Sequence, residues 1–483
     1  MQAIKNFFKN NFRSSFKTRQ VKYGGYAVLL TLALLAGLIL LNLTVSQFSP
    51  QLDLTWSGLY TLSEQSLQVL ETIQSPVRFY GLWRPGEENQ DVITVINLYL
   101  ARSPNISFEL VDPDRNPGFV LRYDRERQGI PRGSLIVEGE MGFRLIGPRD
   151  FFELSQSPTG GASITGISVE RRITSALLFA ATGETPVVYE ITGHDEIPLA
   201  AMGMENDLEL ENFALRPINL LLADIPYDAT MLVLNCPRRD LAAAEAEKLL
   251  DYLDGGGRLM VLADFNIMGL TNLNTVLASY GLEFNYGIVR ETDPFYVAID
   301  PRSAWPDLLD HEITRPLLDK TRTPVVLFEP MALSILETRR RTVEVTPLMT
   351  SSPSAFLRSN LDETSTARTA SDMGGPLVLA AAVSDPSWVQ GDESQTRIVA
   401  IGAGSLLPLG LQAFGANLDL FMNGITWLGD RPENISIRSK SVFVLPLRMN
   451  LVQIALFGAL FVFLIPTAFF AGGLVTWLKR RHL

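Results

Sequence analysis

The chain carries a single cysteine, Cys236. No disulfide can close within it and no CxxC pair exists, so a body of this size must be held by its own core. Cys236 follows the apolar run 231–234, where a small buried thiol is at home. Histidine is scarce too: His194, His311 and His482 are the three in 483 residues. No GxxxxGK[ST] run exists to cradle nucleotide phosphates. Gly255-Gly256-Gly257 ends a helical pattern and enters a strand, the reverse of the order a P-loop requires. No GxSxG elbow is present, and Pro237 follows Cys236 directly, so neither nucleophile stands in its usual setting. The formal net charge is −11, and removing six basic residues near the N-terminus and three near the C-terminus leaves −20. An acidic body lacks the basic patches that nucleic acid demands.

Long uncharged runs are confined to two places, residues 24–43 and residues 451–477. A bilayer core of about 30 Å takes about 20 apolar residues as a helix, so each run is long enough to span. Lys5, Lys9, Arg13, Lys17, Arg19 and Lys22 precede the first run without an acid, and Asp53 is the one charge in residues 44–60. Basic flanks stay cytoplasmic, so both termini are expected on the cytoplasmic side of the membrane and the body outside it. The first run exceeds the length of a signal-peptide core and lacks an A-x-A site, so it reads as a retained anchor.

Between the runs the pattern alternates. Residues 63–73 read as a capped helix, 77–83 as a strand, 91–101 as a helix, and 106–111 as a strand. A short helix at 119–127 follows, then a hairpin of 134–138 and 142–146. The order β-α-β-α-β-β is that of a thioredoxin-like domain. The loop after its first strand is Arg84-Pro85-Gly86-Glu87, which offers no redox thiol. Residues 155–168 are rich in Ser, Gly and Thr and read as a linker. Strands at 186–192, 229–235 and 258–263 alternate with helices at 242–253 and 273–280, which implies a mostly parallel sheet covered on both faces. Residues 207–210 begin no clear helix, and a short strand is expected at 213–215. Within 285–345 the reading assigns one strand, 325–327. Residues 351–375 read as a mobile surface loop. Strands at 377–383 and 397–402 return to the sheet, and 418–428 is a last helix.

Seven segments resemble one family in order along the chain. They are Leu52-Asp53-Leu54-Thr55 with Tyr60-Thr61-Leu62-Ser63, and Arg172-Ile173-Thr174-Ser175-Ala176-Leu177. Thr192-Gly193-His194-Asp195-Glu196, Ile225-Pro226-Tyr227-Asp228-Ala229 and Cys236-Pro237-Arg238-Arg239-Asp240 follow. Tyr252-Leu253-Asp254-Gly255-Gly256 and Asn417-Leu418-Asp419-Leu420-Phe421-Met422-Asn423 complete the set. The family is the GldG-like auxiliary component of an ABC-type transport system, named from gliding motility. The resemblance implies a non-enzymatic accessory subunit whose partners are a multi-spanning permease, a separate cytoplasmic ATPase and the lipid bilayer, with no cofactor. It also implies a second domain similar to the class I glutamine-amidotransferase-like fold. The expected layout is a basic arm (1–22), a transmembrane helix (23–44), a thioredoxin-like domain (45–154) and a linker with a helix (155–185). The amidotransferase-like domain (186–440), a second transmembrane helix (441–478) and a basic tail (479–483) follow.

The best candidate site is the turn Gly193-His194-Asp195-Glu196, which follows a strand of the parallel sheet, where ligands commonly bind. It is expected to contact a ligand or partner, with Gly193 at positive φ. As a surface turn it should tolerate His194→Ala and Glu196→Ala with the fold nearly intact. Two other readings stand beside the accessory subunit. One is an extracytoplasmic solute- or glycan-binding receptor, and the other a degenerate hydrolase acting through His194 and Glu196.

Overall fold

A computed structural model describes residues 26, 28–40, 61–124, 127, 129–156, 162–265, 269–298, 300–318, 324–360, 363, 367–386, 395–403, 415–430, 440–441 and 457–481. The chain divides into two compact units, Met1–Leu59 and Tyr60–Leu483. Of the first unit, residues 28–40 form a helix. The second holds two α/β layers.

The first layer is a four-stranded sheet in the order Ile106–Leu110, Val77–Gly81, Leu135–Gly139, Gly142–Ile146. The first pair is parallel and the others antiparallel. The helices Glu64–Thr72, Gln90–Arg102 and Val169–Thr182 cover one face, burying Val69, Ile96, Tyr99 and Leu177 with Phe79 and Val137 of the sheet. Apolar residues recur at helical spacing in all three helices, so each presents one stripe to the sheet. Ser63 caps the first of them, as the sequence predicts,. The helix expected at 119–127 is shorter, Pro117–Val120.

The second layer centres on five parallel strands. Their spatial order is Ala214–Ile218, Val187–Ile191, Ala229–Asn235, Arg258–Leu262, Gln395–Ile401. In chain order this is 2-1-3-4-5. Val378–Pro386 adds antiparallel to the last of them. Alternate residues enter two cores: Met231 and Val233 face one, Leu232 and Leu234 the other. Because a strand turns each successive side chain to the opposite face, a sheet covered twice needs the unbroken apolar runs seen here. The helix Gly415–Leu428 packs on the first core, and Ala243–Asp254 with Thr271–Ala278 on the second.

Four expectations change. The stretch 155–168 is not a bare linker: Phe152–Gln156 and Ala162–Ile167 pair antiparallel, and Lys440–Ser441 adds a third strand at Gly166 and Ile167. Its β-branched Ile164, Thr165 and Ile167 suit a strand despite the polar composition. Met204–Leu210 is a helix, anchored by buried Met204 and Leu208. Residues 282–350 contain short strands, among them Leu282–Phe284, Ile288–Arg290, Leu333–Ile335 and Glu344–Thr350. The expected strand at 325–327 is Leu327–Phe328. The region 351–375 is no loose loop: Phe356–Arg358 pairs with Met373–Gly374, and Arg358 and Asp372 form a buried ion pair at 3.0 Å.

Among the described residues no helix is long and apolar enough to cross a membrane. The two-helix expectation therefore finds no support there. Residues 24–25, 27, 41–60 and 451–456, and the arm 1–22, lie outside the described residues. At the C-terminal end, a π-helical stretch, Ala459–Leu464, runs into the helix Ile465–Arg481.

Two distant parts of the second unit, near residue 63 and at 440–441, meet one short stretch. The backbone N–H of Ser63 donates to Glu170 Oε1 at 2.6 Å, and the Ser66 hydroxyl donates to the same oxygen at 2.7 Å. Lys440 and Ser441 pair with Ile167 and Gly166.

Candidate functional site

The order 2-1-3-4-5 reverses direction between Val187–Ile191 and Ala229–Asn235. In an open parallel sheet this is the switch point, the place at the carboxyl ends of the strands where ligands commonly bind. The Gly193-His194-Asp195-Glu196 turn follows the first strand. Cys236-Pro237-Arg238-Arg239-Asp240 follows the second. Two segments separated in sequence thus meet at one end of the sheet.

They are tied together. The N–H groups of Arg238 and Arg239 both donate to the carbonyl of His194, at 2.9 and 3.1 Å. The Arg239 guanidinium donates to Gly193 O at 3.1 Å and pairs with Asp195 at 2.8 Å. Gly193 has φ 122°, and a Cβ there would stand 2.7 Å from Asn219 Nδ2. Glycine is needed at this position for both conformation and space. Asp195 takes φ 60°.

His194 and the Glu196 carboxylate are buried, against the expectation of a surface turn. His194 Nδ1 lies 2.7 Å from Glu196 Oε1, and Nε2 lies 2.9 Å from Glu245 Oε2. Glu196 also accepts the N–H groups of Gly193 and His194 through Oε2. Glu245 sits in the first turn of Ala243–Asp254 and accepts the N–H of Ala242 at 2.9 Å. Its other oxygen is buried and has no hydrogen-bond partner among the described residues.

A neutral imidazole has one N–H to give, yet both ring nitrogens here face carboxylate oxygens. The three groups therefore hold one proton more than two carboxylates and a neutral ring would. The Glu196 hydrogen bond raises the His194 pKa, burial opposes it, and Glu245 adds to the rise. Burial would raise the Glu196 carboxyl, but its bond to His194 and the backbone donors outweigh this and lower it. Both shifts favour the extra proton on His194 over Glu196.

Three further residues stand at or near the ends of these two strands, and of these the sequence singled out Cys236 for its chemistry. Cys236 has φ 54°. Burial, with Asp264 adding, pushes its thiol up to about 12. Its Sγ donates to Asn235 Oδ1 at 3.1 Å. Asp240 accepts the N–H groups of Asn272 and Leu273 at 2.6 and 3.1 Å, capping the helix Thr271–Ala278 from another loop. Glu190, buried in the first strand, accepts the N–H of Leu199 at 2.8 Å, and burial raises its pKa. Nothing in the local sequence marks Glu245 as a partner of His194; the helix brings it there from 51 residues away.

Residues 185–424 match the family described as an ABC-type uncharacterized transport system. No curated protein matches the chain. Among solved structures, the mmIFT52 N-terminal domain is similar at a TM-score of 0.36 and 16% identity, over 50% of this chain and 96% of that one. A putative ThuA-like protein from Parabacteroides merdae gives 0.30 and 13%, over 51% and 90%. A glutamine amidotransferase from Thermotoga maritima gives 0.28 and 10%, over 52% and 96%.

Proposed function

Because residues 185–424 belong to the family of the ABC-type uncharacterized transport system, we propose that this chain is a non-enzymatic, membrane-anchored accessory subunit of such a machine. The family match is the observation that carries the reading. A multi-spanning permease and a separate cytoplasmic ATPase are its partners, since the chain has no phosphate cradle of its own. The apolar runs 24–43 and 451–477 are its anchors, and the body stands outside the cytoplasm. Its first layer is a thioredoxin-like domain without thiol chemistry (45–154), and its second an amidotransferase-like domain (186–440). The meeting of residues 63 and 440–441 with the stretch 166–170 supports two anchors leaving from neighbouring points.

Within this reading, Gly193, His194, Asp195 and Glu196 form the contact turn. Exposed Gly193 and Asp195, with Arg239, meet the partner. Buried His194 and Glu196 hold them in shape. The test is co-purification of the tagged protein from membranes, followed by mass spectrometry. An ABC permease and ATPase at comparable abundance support the reading, and their absence counts against it. Asp195→Ala with Arg239→Ala should lose the complex while the unfolding temperature holds.

A cysteine hydrolase is a second reading, favoured by the positive φ of Cys236 at a strand end,. Against it stand the raised thiol pKa and the engagement of both His194 nitrogens by carboxylates. Labelling by iodoacetamide at neutral pH discriminates: the accessory reading expects Cys236 to stay unmodified in the folded protein.

A further inference from the structure

A cleft of about 270 Å³ opens in the first layer, lined by Trp83, Arg84, Arg132, Gly133, Pro148 and Phe151 among others. It lies just past the carboxyl end of Val77–Gly81, at the loop that carries no redox thiol. The floor is apolar, with Phe151 and Trp83 buried. Gly133 keeps it open: at φ 88° a Cβ would stand 3.2 Å from Pro148 and 3.7 Å from Trp83 Nε1. The indole N–H of Trp83 makes no hydrogen bond among the described residues.

The rim carries two guanidiniums bridged by one carboxylate. Asp114 gives one oxygen to each arginine: Arg84 holds Oδ2 at 2.7 Å and Arg132 holds Oδ1 at 2.7 Å. The two guanidiniums are thereby fixed on the rim before any ligand arrives, and fixed donors lose less on binding. Arg132 uses one of its five N–H groups in this bond,. The competing acid in the lining is Glu87, 4.0 Å from Arg84 and itself well exposed. It leaves the remaining donors of Arg132 unsaturated.

We infer that this cleft binds a carboxylate carried on a small apolar stem. The carboxylate meets Arg132 and the indole N–H of Trp83, and the stem lies on Phe151 and Pro148. A guanidinium beside an apolar floor suits this class because the charge-assisted bonds give orientation and the floor gives burial. The size admits a single side chain, a peptide terminus or a small organic acid. The site is separate from the Gly193–Glu196 turn and independent of the transport reading.

The test is calorimetric titration of the full-length protein in detergent with 3-phenylpropionate, and with its neutral isostere 3-phenylpropionamide. The acid should bind saturably, and the amide about tenfold more weakly or worse, as for the loss of a charge-assisted hydrogen bond. Arg132→Gln should weaken the acid by a similar factor at an unchanged unfolding temperature. Equal binding of acid and amide overturns the inference. So does undiminished binding to a folded Arg132→Gln variant, or no saturable heat with the acid. Should Arg132→Gln fail to fold, the acid–amide comparison on the unsubstituted protein decides, with Trp83→Phe expected to narrow the gap.

Discussion

His194 makes the fold of its turn depend on a proton. With the ring doubly protonated, both buried carboxylates have a donor; with the ring neutral, one of them loses it. The folded pKa of His194 is raised above its unfolded value of about 6.5,. Its contribution to stability is therefore fully present below about pH 6.5 and lost as pH rises through the folded value. Glu196 is lowered, so its share is present above its unfolded value of about 4.3 and lost as pH falls through the folded one,. His194→Ala should destabilise the body by about 3 kcal/mol, because it leaves two buried carboxylates facing each other. It should also flatten the fall in unfolding temperature above neutrality. Thermal unfolding across pH 5–9 measures both, and an unchanged profile would show that the proton sits elsewhere. Gly193→Val should cost about 1–3 kcal/mol by a separate route, backbone strain at φ 122° and the clash with Asn219,. The sequence located this turn and foretold the glycine. It did not foretell the burial, because Glu245 arrives from a distant helix and leaves no local mark.

Elements were legible where they bury both faces or one clear stripe. The run Ala229–Asn235 and the helix Ala243–Asp254 lie almost where apolar pattern and the triple glycine put them. Met204–Leu210 was not legible, since four of its seven residues are polar and its two buried side chains are the whole signal. Strands of two or three residues in 282–358 are set by pairing with distant partners, which composition cannot reveal. The region 351–375 misled for a related reason. Its serines and charges look solvated, yet Ser352 donates to buried Glu291, and Arg358 pairs with Asp372. Elements also hold one another through single polar residues. Asp240→Ala should cost about 1 kcal/mol by uncapping Thr271–Ala278, and Asp240→Asn, which keeps one acceptor oxygen for the two N–H groups, should recover only part of it,. Glu211 is shared by Arg171 at 2.7 Å and Arg172 at 3.0 Å, and Arg171 also reaches Asp419 at 3.5 Å. Glu211→Ala should cost about 3 kcal/mol, since it leaves two nearly buried guanidiniums with only longer ion pairs, Arg171 to Asp419 and Arg172 to Asp207 at 3.7 Å, and loosens Val169–Thr182 from the second layer,. Urea unfolding of the three variants ranks these effects; a Glu211→Ala variant as stable as Asp240→Asn would refute the ranking.

At the scale of the whole chain, the proposed orientation rests on charge at the first apolar run. A reporter active only outside the cytoplasm should work when fused after Asp254 and fail when fused after Leu483, and the reverse pattern would overturn it. The purified chain should not hydrolyse ATP, and turnover that survives removal of every co-purifying subunit would count against the accessory role.

Residues 166–170 receive both Ser63 and Lys440, so the stretch 61–441 begins and ends at one place and behaves as a cassette. Such a unit can be rewired. Joining residue 441 to residue 61 through a short flexible linker and reopening the chain at fully exposed Tyr227 gives a circular permutant that keeps every strand pairing described,. The same geometry lets the cassette be lifted out of one pair of flanking segments and transplanted into another.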